Sequence, residues 1–162
     1  MKRFFRIFYL TGVQINAWIR ISRAFAAIPL IGKPLSILTD NLMLMLYGIE
    51  LTSTSLHVHR LVVGHSTGVV LGGNGIRCTG TLHLSSGVVF GRRYSDGHPE
   101  PEHFFDIDGD VTIGANSVLL GPLKIKGPVI IGALTLVTND ITEPGVYVGT
   151  PARRLDSAAE PG

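Results

Sequence analysis

From Ile107 the chain divides into six consecutive hexapeptides: IDGDVT, IGANSV, LLGPLK, IKGPVI, IGALTL and VTNDIT. Their first positions, Ile107, Ile113, Leu119, Ile125, Ile131 and Val137, are all aliphatic. Their fifth positions, Val111, Ser117, Leu123, Val129, Thr135 and Ile141, are mostly small or β-branched. Neither a helix at 3.6 residues per turn nor a strand alternating at two produces a six-residue aliphatic period. The pattern predicts one short strand and one turn per hexapeptide, with the aliphatic side chain directed into a narrow interior. Three hexapeptides close a triangular coil of about eighteen residues, and coils stack by parallel hydrogen bonding. The spacing recurs less regularly upstream through Leu51, Val63 and Val69, which gives about five coils.

The repeat needs turns, and the composition supplies them: 20 glycines are scattered among the aliphatics of a chain of 162 residues. That length suits one domain with a small appendage. A content of 45% hydrophobic and 16% charged residues excludes an intrinsically disordered chain. The single cysteine, Cys78, excludes an internal disulfide framework and fits a reducing compartment. Its setting, GIRCTGT, reads as structural.

Residues 1–48 read as helix. Ile15, Trp18, Ile19, Ile21 and Phe25 fall mostly at helical spacing, Pro29, Gly32 and Pro34 interrupt the pattern, and LSILTDNLMLMLYG predicts a second helix ending near Gly48. Residues 1–49 carry Lys2, Arg3, Arg6, Arg20, Arg23 and Lys33 against Asp40 alone. Two readings fit: peripheral contact with an anionic inner-membrane face through residues 1–30, or a pair of basic amphipathic helices packed on the body. The uncharged run 7–19 is 13 residues long and contains Gln14 and Asn16, so neither a membrane span nor a cleaved signal peptide is expected. No nucleic-acid motif surrounds the basic residues, and a cytoplasmic location is expected. The organisation reads as a helical segment over 1–48, a β-helix over 49–155 and a tail over 156–162.

Residues 91–106, GRRYSDGHPEPEHFFD, contain no hexapeptide and are expected to loop out of the stack, where function tends to be carried. His65, in VGHSTGVVLG, taken alone reads as a surface residue of the repeat. His83 lies eighteen residues beyond it and would stack above it in a regular coil. His57 and His59 add a second histidine pair, but zinc needs three protein ligands and no such spacing is visible, so no metal is expected.

Taken in order, several segments resemble the serine acetyltransferase branch of the hexapeptide-repeat acyltransferases. GIEL (48–51) is similar to the family's Gly-Val-Asp-Ile, and GHSTGVVLG to its Asp-His-Ala/Gly-Thr-Gly motif. DGHP (96–99) is similar to its Asp-Arg-His-Pro loop, IGANSVLLGPLKI and IGALTLVTNDI to its late coils, and VGTPARRL to its closing segment. Gly64 and Gly73 replace the family's aspartate and glutamate, GRRY replaces its Gly-Gly-Thr-Gly turn, and the helical segment and tail are short.

The resemblance implies a left-handed parallel β-helix with a short N-terminal helical segment. It implies catalysis by His65 as general base, Glu50 as the carboxylate that orients it and His98 on the loop, because an imidazole held by a carboxylate takes a hydroxyl proton well near neutral pH. Gly91, Arg92, Gly114, Ala115, Gly132 and Ala133 are the implied acetyl-CoA contacts, with Gly91 also an oxyanion donor, and Asp96 and Arg93 the implied acceptor contacts. Arg92, Arg93 and Tyr94 read equally as solvated loop residues. A homotrimer with active sites between subunits is implied. Since the departures cluster on the acceptor side, the leading expectation is an acetyl-CoA-dependent O-acetyltransferase acting on a hydroxyl of a sugar or of a polysaccharide or glycoconjugate precursor. The alternatives are a serine O-acetyltransferase of cysteine biosynthesis and, from another class, a non-catalytic β-helix scaffold for oligomerisation.

Overall fold

The computed structural model describes residues 11–72, 75–93 and 104–155. Helices α1 (Thr11–Ala26) and α2 (Gly32–Tyr47) form a hairpin. α2 starts ahead of Pro34 rather than after it. Pro34 lies in the first turn, where the N–H it lacks would have no intrahelical acceptor. The helix ends at the expected place: Gly48 adopts a left-handed φ of 64° and its N–H donates to Leu44 O.

The hairpin is joined by polar contacts. Ser22 Oγ lies 2.8 Å from both Ser36 Oγ and Asp40 Oδ1, and Asp40 Oδ2 accepts the Ser53 N–H at 3.0 Å. Asn16 Nδ2 donates to Leu61 O at 2.9 Å, tying α1 to the body. Ile15, Ile19 and Met43 join the apolar core.

The body is a parallel β-helix with, among the described residues, thirteen short strands: β1 (Ile49–Leu51), β2 (Leu56–Val63), β3 (Val69–Leu71), β4 (Ile76–Leu84), β5 (Val89–Arg92), β6 (Phe105–Asp108), β7 (Val111–Ile113), β8 (Val118–Gly121), β9 (Leu123–Lys126), β10 (Val129–Ile131), β11 (Leu136–Val137), β12 (Gly145–Val148) and β13 (Arg153–Arg154). The first face carries β1, β3, β5, β8 and β11 in that order. β2 and β4 pair along their whole length and turn a corner. The first half of β4 pairs with β6 on the second face, and its second half with β7 on the third. β13 closes the far end antiparallel to β12.

All six first-position aliphatics and all six fifth-position residues of the hexapeptides are buried, so both columns point inward. Where the repeat is regular the coil is eighteen residues, as in Val111↔Val129 and Val118↔Leu136. Elsewhere it is longer: Ile49 pairs with Val69, and Leu82 pairs with Val111 across the interrupting loop. The ladder runs on through Gly91 and Arg92 and resumes at Phe105. Phe90 and Phe105 fill the wider coils, their rings 4.9 Å apart and edge-on.

One residue per coil takes left-handed backbone at the corner between the third and first faces: Gly48, Gly68, Gly87, Asn116 and Leu134, with φ between 57° and 73°. Glycine enters this region freely, whereas a residue with Cβ is strained there. Two outcomes follow, both measurable by chemical denaturation. Leu134→Gly raises stability by about 1 kcal/mol, since Leu134 is mostly exposed. Ile113→Ala, at a fully buried column position, lowers it by about 3 kcal/mol.

Candidate active site

At the same corner the second, third and fourth coils each spend three residues between the strand end of the third face and the first inward residue of the first. These are 85–87 between Leu84 and Val88, 114–116 between Ile113 and Ser117, and 132–134 between Ile131 and Thr135. The coil before them spends five, residues 64–68 between Val63 and Val69. The ladder locates the surplus. The Gly64 N–H donates to Leu84 O at 2.9 Å, as Ser85 donates to Ile113 O, and the Gly87 N–H donates to Thr67 O at 3.0 Å. Gly64 and Thr67 thus keep places in the stack, and His65 and Ser66 are the two extra residues.

Ser66 turns in and is buried, its hydroxyl donating to Tyr47 O at 2.6 Å. His65 turns out and is exposed. The corner closes on Gly68, whose N–H reaches Gly48 O and whose φ is 73°. His65 is therefore held out from the prism on a corner fixed to the coils on both sides of it. The hydroxyl at Ser66 is the part of this device that sequence reasoning missed; its only signal was its place beside the histidine.

The expected stacking of His83 on His65 does not occur. The two inserted residues and a register shift opposite Val58 and Arg60 lengthen that coil, and His83 pairs with Val62. Among the described residues no group of three or more His, Cys, Asp and Glu side chains could hold a metal ion.

Glu50 stands exposed in β1, paired with Val70, five residues further along the coil path than His65 and one coil before it. Among the described residues, no hydrogen bond or ion pair joins the two side chains.

Gly114, Ala115, Gly132 and Ala133 lie on the edge that His65 begins. Gly114 N–H donates to Ile131 O, Gly132 N–H to Tyr147 O, and Leu134 N–H to Ala115 O. With Ser85 and Ser86 between them and His65, the first two positions of each corner are small residues, and Asn116 and Leu134 close the later corners. At about 4.8 Å per step, three steps carry it about 14 Å from the His65 corner to Ala133. A Cβ on Gly114 would sit 2.5 Å from Ala133 N, so glycine is needed here for coil-to-coil contact in any case.

Gly91 and Arg92 lie elsewhere. They pair with Leu120 and Gly121 where the first face meets the second, and the Arg92 guanidinium sits 5.5 Å from the Phe104 ring centroid. The Arg93 guanidinium donates to Thr138 O of its own chain. Within one protomer the width of the first face separates these residues from the His65 edge. Asp96, His98 and Tyr94 lie outside the described residues.

Sequence reasoning also gave no sign of a groove of about 820 Å³ between α1 and β2. Arg20, Ile21, His59 and Arg60 line it, and it runs to Gly64, the residue before His65. Its walls are some forty residues apart in sequence, which no local pattern can join.

Cys78 is buried, and burial raises its thiol above the usual value, which keeps it in the unreactive form.

No family model matches the chain. It is 26% identical over 134 residues to the serine acetyltransferase of Haemophilus influenzae, covering 80% of this chain and 48% of that protein. Over 54 residues, 33% of this chain and 23% of the relative, it is 39% identical to the 2,3,4,5-tetrahydropyridine-2,6-dicarboxylate N-acetyltransferase of Staphylococcus aureus. Among solved structures it is similar to the serine acetyltransferase of Neisseria gonorrhoeae, with a TM-score of 0.71 and 26% identity over 94% of this chain and 57% of that one. The serine acetyltransferase of Brucella abortus in complex with coenzyme A aligns with a TM-score of 0.75 at 19% identity, over 91% of this chain and 56% of that one, a likeness of fold. The chain spans about half the length of the serine acetyltransferases it matches.

The fold is thus a left-handed parallel β-helix of hexapeptide repeats, with two helices ahead of it among the described residues. Within that class its likeness is to the serine acetyltransferase-like branch of the hexapeptide-repeat acyltransferases.

Two measurements check the local account. Ser66→Ala removes the bond that pins the extra residues and lowers stability by about 1 kcal/mol in urea denaturation. Cys78 resists Ellman's reagent in the native protein and reacts at once after denaturation.

Proposed function

We propose that this protein is an acetyl-CoA-dependent O-acetyltransferase with His65 as its general base. The observation that carries the reading is the five-residue corner that holds His65 out at the head of an edge of small residues. Such an edge suits a long, thin donor: Gly114, Ala115, Gly132 and Ala133 would border its pantetheine arm, and the thioester would lie beside His65. His65 takes the acceptor hydroxyl proton while the oxygen attacks the thioester carbonyl carbon. The C–S bond then breaks and the proton passes to the departing thiolate, giving an acetyl ester and free coenzyme A.

L-serine is the acceptor that the likenesses favour, since relatives and structural neighbours are named serine acetyltransferases. A sugar hydroxyl is the second reading. What favours it is Gly64, immediately before the histidine, where the resemblance would call for an aspartate. Glu50 is proposed to orient His65, and His98 with Asp96 to complete the site from the loop.

A homotrimer with the site between subunits is part of the same proposal: a neighbour would bring its Gly91, Arg92 and Arg93 toward the His65 edge. Mixing inactive His65→Ala and His98→Ala chains restores activity on this account, and failure to recover any turnover counts against a shared site.

The test is thiol release from acetyl-CoA with L-serine and a panel of sugars. Turnover with one acceptor, reduced about a hundredfold or more in His65→Ala, supports the proposal and identifies the acceptor. Absence of turnover and of coenzyme A binding overturns it and leaves a scaffold.

A further inference from the structure

α2 is inside out by the standard of a helix on a water-soluble domain, where the apolar stripe faces the body. The side turned toward α1 and the coil carries Ser36, Thr39 and Asp40 beside Met43, and the first two are buried with Ser22. The outer side carries Ile37, Leu38, Met45 and Leu46 at 56%, 60%, 81% and 63% exposure. From Leu44 round to Leu46 this apolar arc sweeps about 200° of the helix at 100° per residue, with Asn41 its one polar side chain. The turn before it continues the surface: Leu30 is 99% exposed and Ile31 59%. A contiguous exposed patch of this kind marks an interaction surface.

Charge indicates what covers it. Asp40, the one acid in residues 1–49, is turned inward onto Ser22 and Ser53. Lys33 is exposed on the helix of the arc itself, while Arg20 faces the groove beside β2 and Arg23 donates to Ser53 O. The hairpin therefore offers solvent an apolar arc with a basic margin and no carboxylate. A second copy would bring like charge against like charge, and a helix partner needs a stripe of about 100°, narrower than this arc. A plane of anionic lipid matches both the width and the sign. Crossing is excluded for the described helices, none of which is long and apolar enough to span a membrane.

We infer that the hairpin rests on an anionic bilayer surface, with residues 28–31 and the outer arc of α2 entering the headgroup boundary and Lys33 meeting lipid phosphates. This holds whether or not acetyl transfer does, because none of these residues belongs to the proposed site.

The experiment is flotation of the full chain with vesicles of phosphatidylcholine alone or of phosphatidylcholine with an equal part of phosphatidylglycerol. The wild type floats with the anionic vesicles, about tenfold less with the neutral ones, and less at high salt. The Leu38→Glu, Met45→Glu double variant, changed only at exposed positions, keeps its helical circular dichroism and loses about tenfold or more of the binding. Lys33→Glu, outside the apolar arc, loses only the anionic preference and serves as a second variant. Wild type that stays with the soluble fraction in both mixtures overturns the inference, as does a folded double variant that floats as well as wild type. A wild-type assembly that ignores vesicles and dissociates on Met45→Glu substitution in analytical ultracentrifugation overturns it in favour of a second copy.

Discussion

The parallel backbone ladder at one corner of the prism is the constraint on which the remaining structure depends. Gly64, Ser85, Gly114 and Gly132 each donate an N–H to the next coil, and a left-handed residue ends the corner in every coil. With both ends fixed, any surplus length between them has to leave the stack. The first of these corners has two residues too many, and the fold disposes of them as a buried serine and an exposed histidine. The position of His65 thus follows from backbone bookkeeping, and a rigid scaffold of this kind is what a base needs to be held at an attack geometry.

The body was legible in the sequence to the extent that its period was regular. From Ile107 onward every first-position aliphatic of the hexapeptides is buried where the six-residue spacing puts it, because a narrow core excludes water from that column. Upstream the same spacing misleads. Val63 and Val69 are six apart and look like successive repeats, yet Val63 matches Ile113 and Val69 matches Ser117 through the ladder. The interval is four residues plus the two inserted ones. His83 fails to stack on His65 for the same reason and one more: the two inserted residues lengthen the coil, and a further residue gained in β4 opposite Val58–Arg60 shifts the register again, an irregularity with no signature in periodicity.

The site was legible only through its resemblance. Composition and spacing gave His65 no more than a surface position, and the quoted motifs gave it a role. The sequence named Gly114, Ala115, Gly132 and Ala133 without a reason why they should share an edge with His65, and the register supplies it. The helical segment shows the opposite failing. Its helices were readable from apolar spacing, but that spacing does not say which face is inward. Asp40 turned inward onto Ser22 and Ser53, and the leucines were left outside.

The most direct test is backbone amide hydrogen exchange of the full chain with and without coenzyme A. The account predicts slower exchange at residues 114–116 and 132–134 together with the 64–68 corner, and little change along the other edges of a single protomer apart from 91–93. Protection confined to a different edge, with the His65 corner unaffected at saturating coenzyme A, would contradict it.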